Sequence, residues 1–109
     1  MTATVLAFVS ARVIDTAAGA VIPDRTVVIR DGIVVAVGAD GATPIPAGAT
    51  VIDARERYLC PGLADMHVHA TTPHDLALCV AHGVMTVRNM WGESSMLELR
   101  RAVEQGSLL

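Results

Sequence analysis

Two β-branched runs, Thr26 to Arg30 and Ile33 to Val37, are separated only by Asp31 and Gly32. A two-residue Asp-Gly connection favours the tight turn whose twist matches that of paired strands, because it accepts a positive φ at both central positions. That hairpin commits the first half of the chain to antiparallel β-structure. Val5 to Ile14 reads as a preceding strand, running into a loop at Asp15 to Gly19. Gly38 to Gly48 is rich in Gly, Pro, Ala and Thr with Asp40 as its single charge, the composition of a connecting loop, and Thr50 to Asp53 reads as a further short strand. About four strands over residues 1–57 suit part of a β-sandwich or small barrel.

The texture changes at Cys60-Pro61-Gly62, where proline holds Cys60 extended and glycine permits a turn. This places a domain boundary between residues 1–59 and 60–109. Leu63 to His69 reads as a strand, and Leu76, Cys79 and Val80 lie at helical spacing within His74 to His82. Thr72 is its candidate cap with Pro73 at the first position, and His82 and Gly83 suit its end. Val84 to Val87 reads as a second strand, and Ser94 or Ser95 caps a last helix reaching about Gln105, with Gly106 as the stop. Strand, helix, strand, helix implies parallel pairing through crossovers and an α/β fold class.

Composition narrows the functional classes. The 109 residues are 52% hydrophobic and 17% charged, which is globular rather than disordered. Only three residues are aromatic, so the apolar content is mostly Val, Ala, Leu and Ile, the makeup of buried strands. The net charge of −3 arises from scattered acids and bases, leaving no basic face for nucleic acid. No apolar run approaches the roughly 20 residues that span a bilayer, and no basic residue precedes the short apolar stretch Val5 to Val9. Membrane association and secretion are therefore not expected, and the cytoplasm is the expected compartment. Cys60 and Cys79 are too few for a disulfide framework and too far apart for a CxxC pair, so both read as small buried hydrophobes.

His67 and His69 carry the clearest chemistry. Two apart on a strand, they emerge on one face about 6.6 Å apart along the backbone, close enough to converge on one metal ion. Neutral imidazole is a good ligand for zinc and other transition metals. A His-x-His pair taken alone is as readily incidental, one ring exposed and the other hydrogen-bonded. Asp65 shares the face of His67 and can orient an imidazole or simply accept a hydrogen bond at the strand start. Arg88 and Asn89, near the end of the second strand, can touch substrate or serve an ordinary loop. His74 and His82 sit at opposite ends of the first helix and suit helix-end roles. Trp91 can wall a pocket, yet a lone tryptophan is more often core or interface. No residue is singled out as a general acid or base.

The stretch Tyr58-Leu59-Cys60-Pro61-Gly62-Leu63-Ala64-Asp65-Met66-His67-Val68-His69 closely resembles the amidohydrolase superfamily, in which Pro-Gly-Leu/Phe-Ile/Val-Asp-x-His-x-His opens the first barrel strand. Asp31 to Gly38 is similar to that family's N-terminal hairpin, and Val51 to Ala54 to its strand before the barrel. Gly83 to Met90 looks like the second barrel strand of the branch related to imidazolonepropionase and prolidase-type members, where Asn89 is commonly aspartate and Met85 threonine. The resemblance implies a β-sandwich-type domain followed by the first two strand–helix units of an incomplete TIM (β/α)8 barrel. It implies hydrolysis of carbon–nitrogen bonds in linear or cyclic small-molecule amides by water activated on one or two divalent metal ions, most often zinc. By resemblance, His67 and His69 are metal ligands.

A catalytic zinc site usually has three protein ligands and an open position, and the family takes the remainder from later strands. A full barrel needs about 250 residues. The expectation is therefore a fragment of a longer hydrolase, inactive alone, whose open strand edges invite association with further copies or with a polypeptide that supplies the missing barrel. The competing expectation is a non-catalytic β-rich binding or assembly module with a vestigial histidine pair.

Overall fold

A computed structural model describes residues 4–108. The chain divides into two compact units, Met1–Pro61 and Gly62–Leu109. The first contains β1 (Val5–Asp15), β2 (Ala20–Arg30), β3 (Ile33–Ala39), β4 (Thr50–Asp53) and β5 (Tyr58–Leu59). They form one sheet in the order β3-β2-β1-β4, with β5 also on β1. β1, β2 and β3 are antiparallel neighbours, whereas β4 and β5 run parallel to β1. Asp31 and Gly32 turn the hairpin with φ of 49° and 80°, the left-handed values the sequence demanded of them.

The pairing of β1 with β2 contains two irregularities that sequence patterns conceal. β2 begins at Ala20, earlier than the β-branched run suggests, because Pro23 and Asp24 form a bulge. Ala11 pairs with Arg25 and Val13 with Ile22, so two residues of β2 oppose Arg12 alone. A proline without an N–H is tolerated at such a position. The second bulge lies on β1, where Val9 and Ser10 oppose Thr26 and Ser10 takes a φ of 58°. A left-handed non-glycine residue costs about 1–3 kcal/mol. Asp40 offsets this strain: its carboxylate accepts the Ser10 amide at 3.1 Å, the Ser10 hydroxyl at 2.7 Å and the Thr26 hydroxyl at 2.5 Å. These bonds, that from Thr26 foremost, hold the Asp40 carboxyl below the usual carboxylate range. The lone charge of the connecting loop is thus a clasp across three strands.

Ala7, Ala11, Val27, Val28 and Ala54 are buried around this clasp, and Thr26 is buried with its hydroxyl satisfied. The expected sandwich is, among the described residues of this unit, a single layer. β4 and β5 occupy successive lengths of the same β1 edge, at Leu6 to Val9 and at Arg12 to Val13, instead of starting a second sheet.

The second unit is strand, helix, strand, helix: β6 (Leu63–Val68), α1 (Pro73–Ala81), β7 (Val84–Asn89) and α2 (Ser95–Glu104). β6 and β7 are parallel, giving the chain the mixed α/β class expected. α1 starts with a reciprocal cap in which Thr72 Oγ1 accepts the Asp75 amide at 3.3 Å and Asp75 Oδ2 accepts the Thr72 amide at 2.9 Å. It ends at His82, followed by Gly83 with φ of 79°. Ser94 precedes α2 without a side-chain cap. Gly62 leaves room for Met85, whose side chain a Cβ there would strike. Leu63, Met66 and Met85 remain exposed, although parallel strands of this composition are ordinarily covered on both faces. Among the described residues no helix is long and apolar enough to cross a membrane.

Candidate metal centre

The C-terminal end of β6 departs from regular pairing where the histidines stand. Asp65 pairs with Val87 and Val68 with Asn89, so Met66 and His67 together oppose Arg88 alone. A bulge of this kind re-aims a side chain. It also strips an amide of its ladder partner, and the Asp65 carboxylate accepts that amide, His67 N–H, at 3.0 Å. Asp65 therefore secures the backbone under His67; its hydrogen bond is to the main chain, not to an imidazole. His69 follows the last strand residue. Its ring centroid is 5.4 Å from that of His67, the two planes inclined at 38°. Both residues are exposed.

The donor set fits part of a metal site. Two neighbouring, accessible imidazoles at a strand end can share an ion whose nitrogen distances are about 2.0–2.1 Å. Among the described residues, however, no group of three His, Cys, Asp or Glu is arranged to hold one. His82 lies at the end of α1 with Nδ1 2.8 Å from the Leu78 carbonyl oxygen, and His74 lies in the first turn of that helix. Both have helix-end positions away from the pair. Of the two cysteines expected to be buried, Cys79 is half-buried and Cys60 is exposed, and both are free thiols.

Asn89 and Arg88 separate in role. Arg88 is exposed on β7. Asn89 is half-buried and spans two loops: Nδ2 donates to the Ala70 carbonyl at 2.6 Å, just past His69, and Oδ1 accepts the Trp91 amide at 3.0 Å. Trp91 is 46% exposed, not core, and its ring centroid is 5.4 Å from that of His69. Its indole N–H donates to Glu93 at 2.7 Å. Glu93 was not legible as part of this cluster; the available signal was its place two residues beyond a tryptophan at a strand end. An open cleft of about 840 Å³ lies between β7 and the helices, lined by apolar residues such as Leu76, Val87, Met96 and Leu99 together with Asn89 and Trp91. The two imidazoles do not line it.

Comparison with known proteins finds relatives over part of the chain. The chain is 50% identical over 62 residues to a dihydroorotase of Anaeromyxobacter dehalogenans, covering 57% of this chain and 14% of the relative. It is 39% identical over 72 residues to an adenine deaminase of Paracoccus denitrificans, covering 62% and 12%. Over the matched region the chain is similar to enzymes of the amidohydrolase superfamily. Among solved amidohydrolase structures, a prolidase bound to N-methylphosphonate-L-proline matches 97% of the chain and 30% of its own length, with a TM-score of 0.76 and 27% identity. Molinate hydrolase covers all of the chain with a TM-score of 0.82 at 21% identity, which speaks to fold alone. No family model matches. The chain spans about 14% of the length of the dihydroorotase and 29% of molinate hydrolase.

Proposed function

We propose that this chain supplies the first two metal ligands, His67 and His69, of a hydrolase that cleaves carbon–nitrogen bonds in small linear or cyclic amides with metal-activated water. The observation that carries this reading is the pair of accessible imidazoles 5.4 Å apart at the C-terminal end of a parallel strand, where α/β barrels place catalytic groups. Relatives named as hydrolases of such bonds support it. In the same reading β6-α1-β7-α2 opens a TIM-type barrel, the first unit belongs to a sandwich-type domain, zinc is the metal as one or two ions, and the compartment is the cytoplasm.

A bound zinc would lower the pKa of its water to about 7 and polarise the substrate carbonyl. The chain's own residues prepare that chemistry. His67 and His69 present nitrogen donors, Asp65 fixes the bulge that aims His67, and Asn89 ties the loop after His69 to the loop bearing Trp91. Two ligands fall short of the usual three, so the 109-residue chain is proposed to be inactive by itself and to need further ligands, from more polypeptide or from a partner.

Equilibrium dialysis with zinc tests the reading. The chain is expected to retain zinc in proportion to its concentration, and the H67A/H69A double variant to lose it; equal retention by both refutes the assignment. The absence of a third ligand among the described residues favours, as a second reading, a β-rich binding or assembly module with a vestigial pair. Zinc retention that depends on the histidines excludes it.

A further inference from the structure

The two helices of the second unit share a cleft that neither fills. On α1, Leu76, Cys79 and Val80 fall at i, i+3 and i+4, and on α2, Met96, Leu99 and Val103 fall at i, i+3 and i+7, so each helix turns an apolar stripe to the cleft of about 840 Å³ beside β7. Neither helix buries a residue, and Ala70 is the one buried hydrophobic side chain among the described residues of this unit. Protein interiors ordinarily leave few voids larger than a water molecule, so two stripes held apart over this volume forgo most of their packing. α1 is the fixed side, capped by Thr72 and Asp75 and packed against β7. α2 is not comparably held. Ser94 gives it no side-chain cap, it packs on no strand as α1 does, and its polar link to β7 is the donation from Asn89 Nδ2 to Met96 Sδ at 3.2 Å, a weak acceptor. A helix of ten residues is too short to be stable in water without packing.

From this arrangement we propose that α2 is a hinged strap, which swings about Gly92 to Ser94 and closes on α1 so that the two apolar stripes bury each other. A Cβ at Gly92 would meet nothing within 4 Å, so the hinge has room to turn. Both stripes belong to one unit and are joined by a short connection, which makes closure intramolecular and independent of any partner or metal. Trp91 lines the same cleft, adjoins the hinge and packs 5.4 Å from the His69 ring. Closure therefore shields the indole and sets how open the space beside His69 is.

The native thiols report closure. Cys79 lies on the α1 stripe, and Cys60, exposed and in the first unit, is the internal reference. The full chain is alkylated with iodoacetamide, labelling at each cysteine is followed by mass spectrometry, and each rate is divided by that of the same thiol in urea. Wild-type Cys79 is expected to react about tenfold more slowly than Cys60, as for a cleft closed about nine-tenths of the time. L99D, which places a charge on the α2 stripe, should bring the two rates together, whereas R101A, on a part of α2 that does not line the cleft, should leave them apart. Should L99D lose its helical circular dichroism, a bridging experiment decides. With oxidised glutathione, C60S/L99C is expected to link Cys79 to the introduced thiol and C60S/R101C is not, because a disulfide forms only when the two Cα atoms come within about 7 Å. Acrylamide should then quench Trp91 less in the bridged protein than in its reduced form. Wild-type Cys79 as reactive as Cys60, or bridging as fast in C60S/R101C as in C60S/L99C, overturns the strap.

Discussion

Replacing Asn89 by aspartate, the residue common at this position in the branch the chain resembles, is expected to destabilise the second unit. The amide does two jobs that a carboxylate cannot combine, donating from Nδ2 to the Ala70 carbonyl at 2.6 Å and accepting the Trp91 amide on Oδ1 at 3.0 Å. Aspartate keeps the acceptor but turns a second oxygen toward the Ala70 carbonyl, and Ala70 is only 5% exposed. A buried acceptor deprived of its donor costs about 1–3 kcal/mol, so a loss of about 2 kcal/mol is expected in urea denaturation, or roughly 10 °C in melting temperature for a unit of this size. Protonation restores an O–H donor and the facing carbonyl disfavours the charged form in the folded unit, so the deficit relative to wild type should shrink as the pH falls toward the unfolded carboxyl value of about 3.9 and be smallest below it. The emission of Trp91, the one tryptophan in the chain, should shift with the deficit because its loop is released. A deficit independent of pH, or none at all, would refute the donor argument.

The Asp40 clasp has its own pH signature. Its carboxyl is held below the usual range by Thr26 and Ser10, so its contribution is complete above the unfolded value of about 3.9 and is lost as the pH falls through the lower folded value. D40N should be less stable than wild type at neutral pH, with the gap closing in acid; parallel pH profiles would count against the clasp. T72A, which removes the reciprocal cap of α1, should cost about 1 kcal/mol in denaturation and reduce helical circular dichroism; an unchanged midpoint would show that the cap carries no net stability.

The elements most legible in the sequence were those specified by local chemistry. Asp31-Gly32, Thr72-Pro73 and Gly83 each demand a backbone conformation that the fold supplies, and neighbouring residues suffice to recognise them. What escaped notice depends on partners distant in the chain. The bulge at Ser10 is held by Asp40, which from a loop that composition marks only as a loop reaches back to β2 and β1. The single-layer arrangement of β4 and β5 likewise depends on a β1 edge long enough to pair with both.

The candidate site shows the same division on a smaller scale. Strict alternation places His67 and His69 on one face, but alternation does not survive at the end of β6, where Met66 and His67 share a single partner. The neighbourhood of the rings is instead set by a bulge, by the carboxylate that takes the freed amide, and by an asparagine reaching from the next strand. Asp65 and Asn89 therefore bear on the site through the backbone, and their substitution should alter the geometry at His67 and His69 before it alters contact with any substrate. Trp91 is the converse case: nothing in its local sequence distinguishes a core tryptophan from an exposed one, and only the structure, which leaves its ring half open beside His69, separates the two. The residues that set the backbone around the histidine pair, Asp65 and Asn89, are thus physically distinct from the ring that packs beside it.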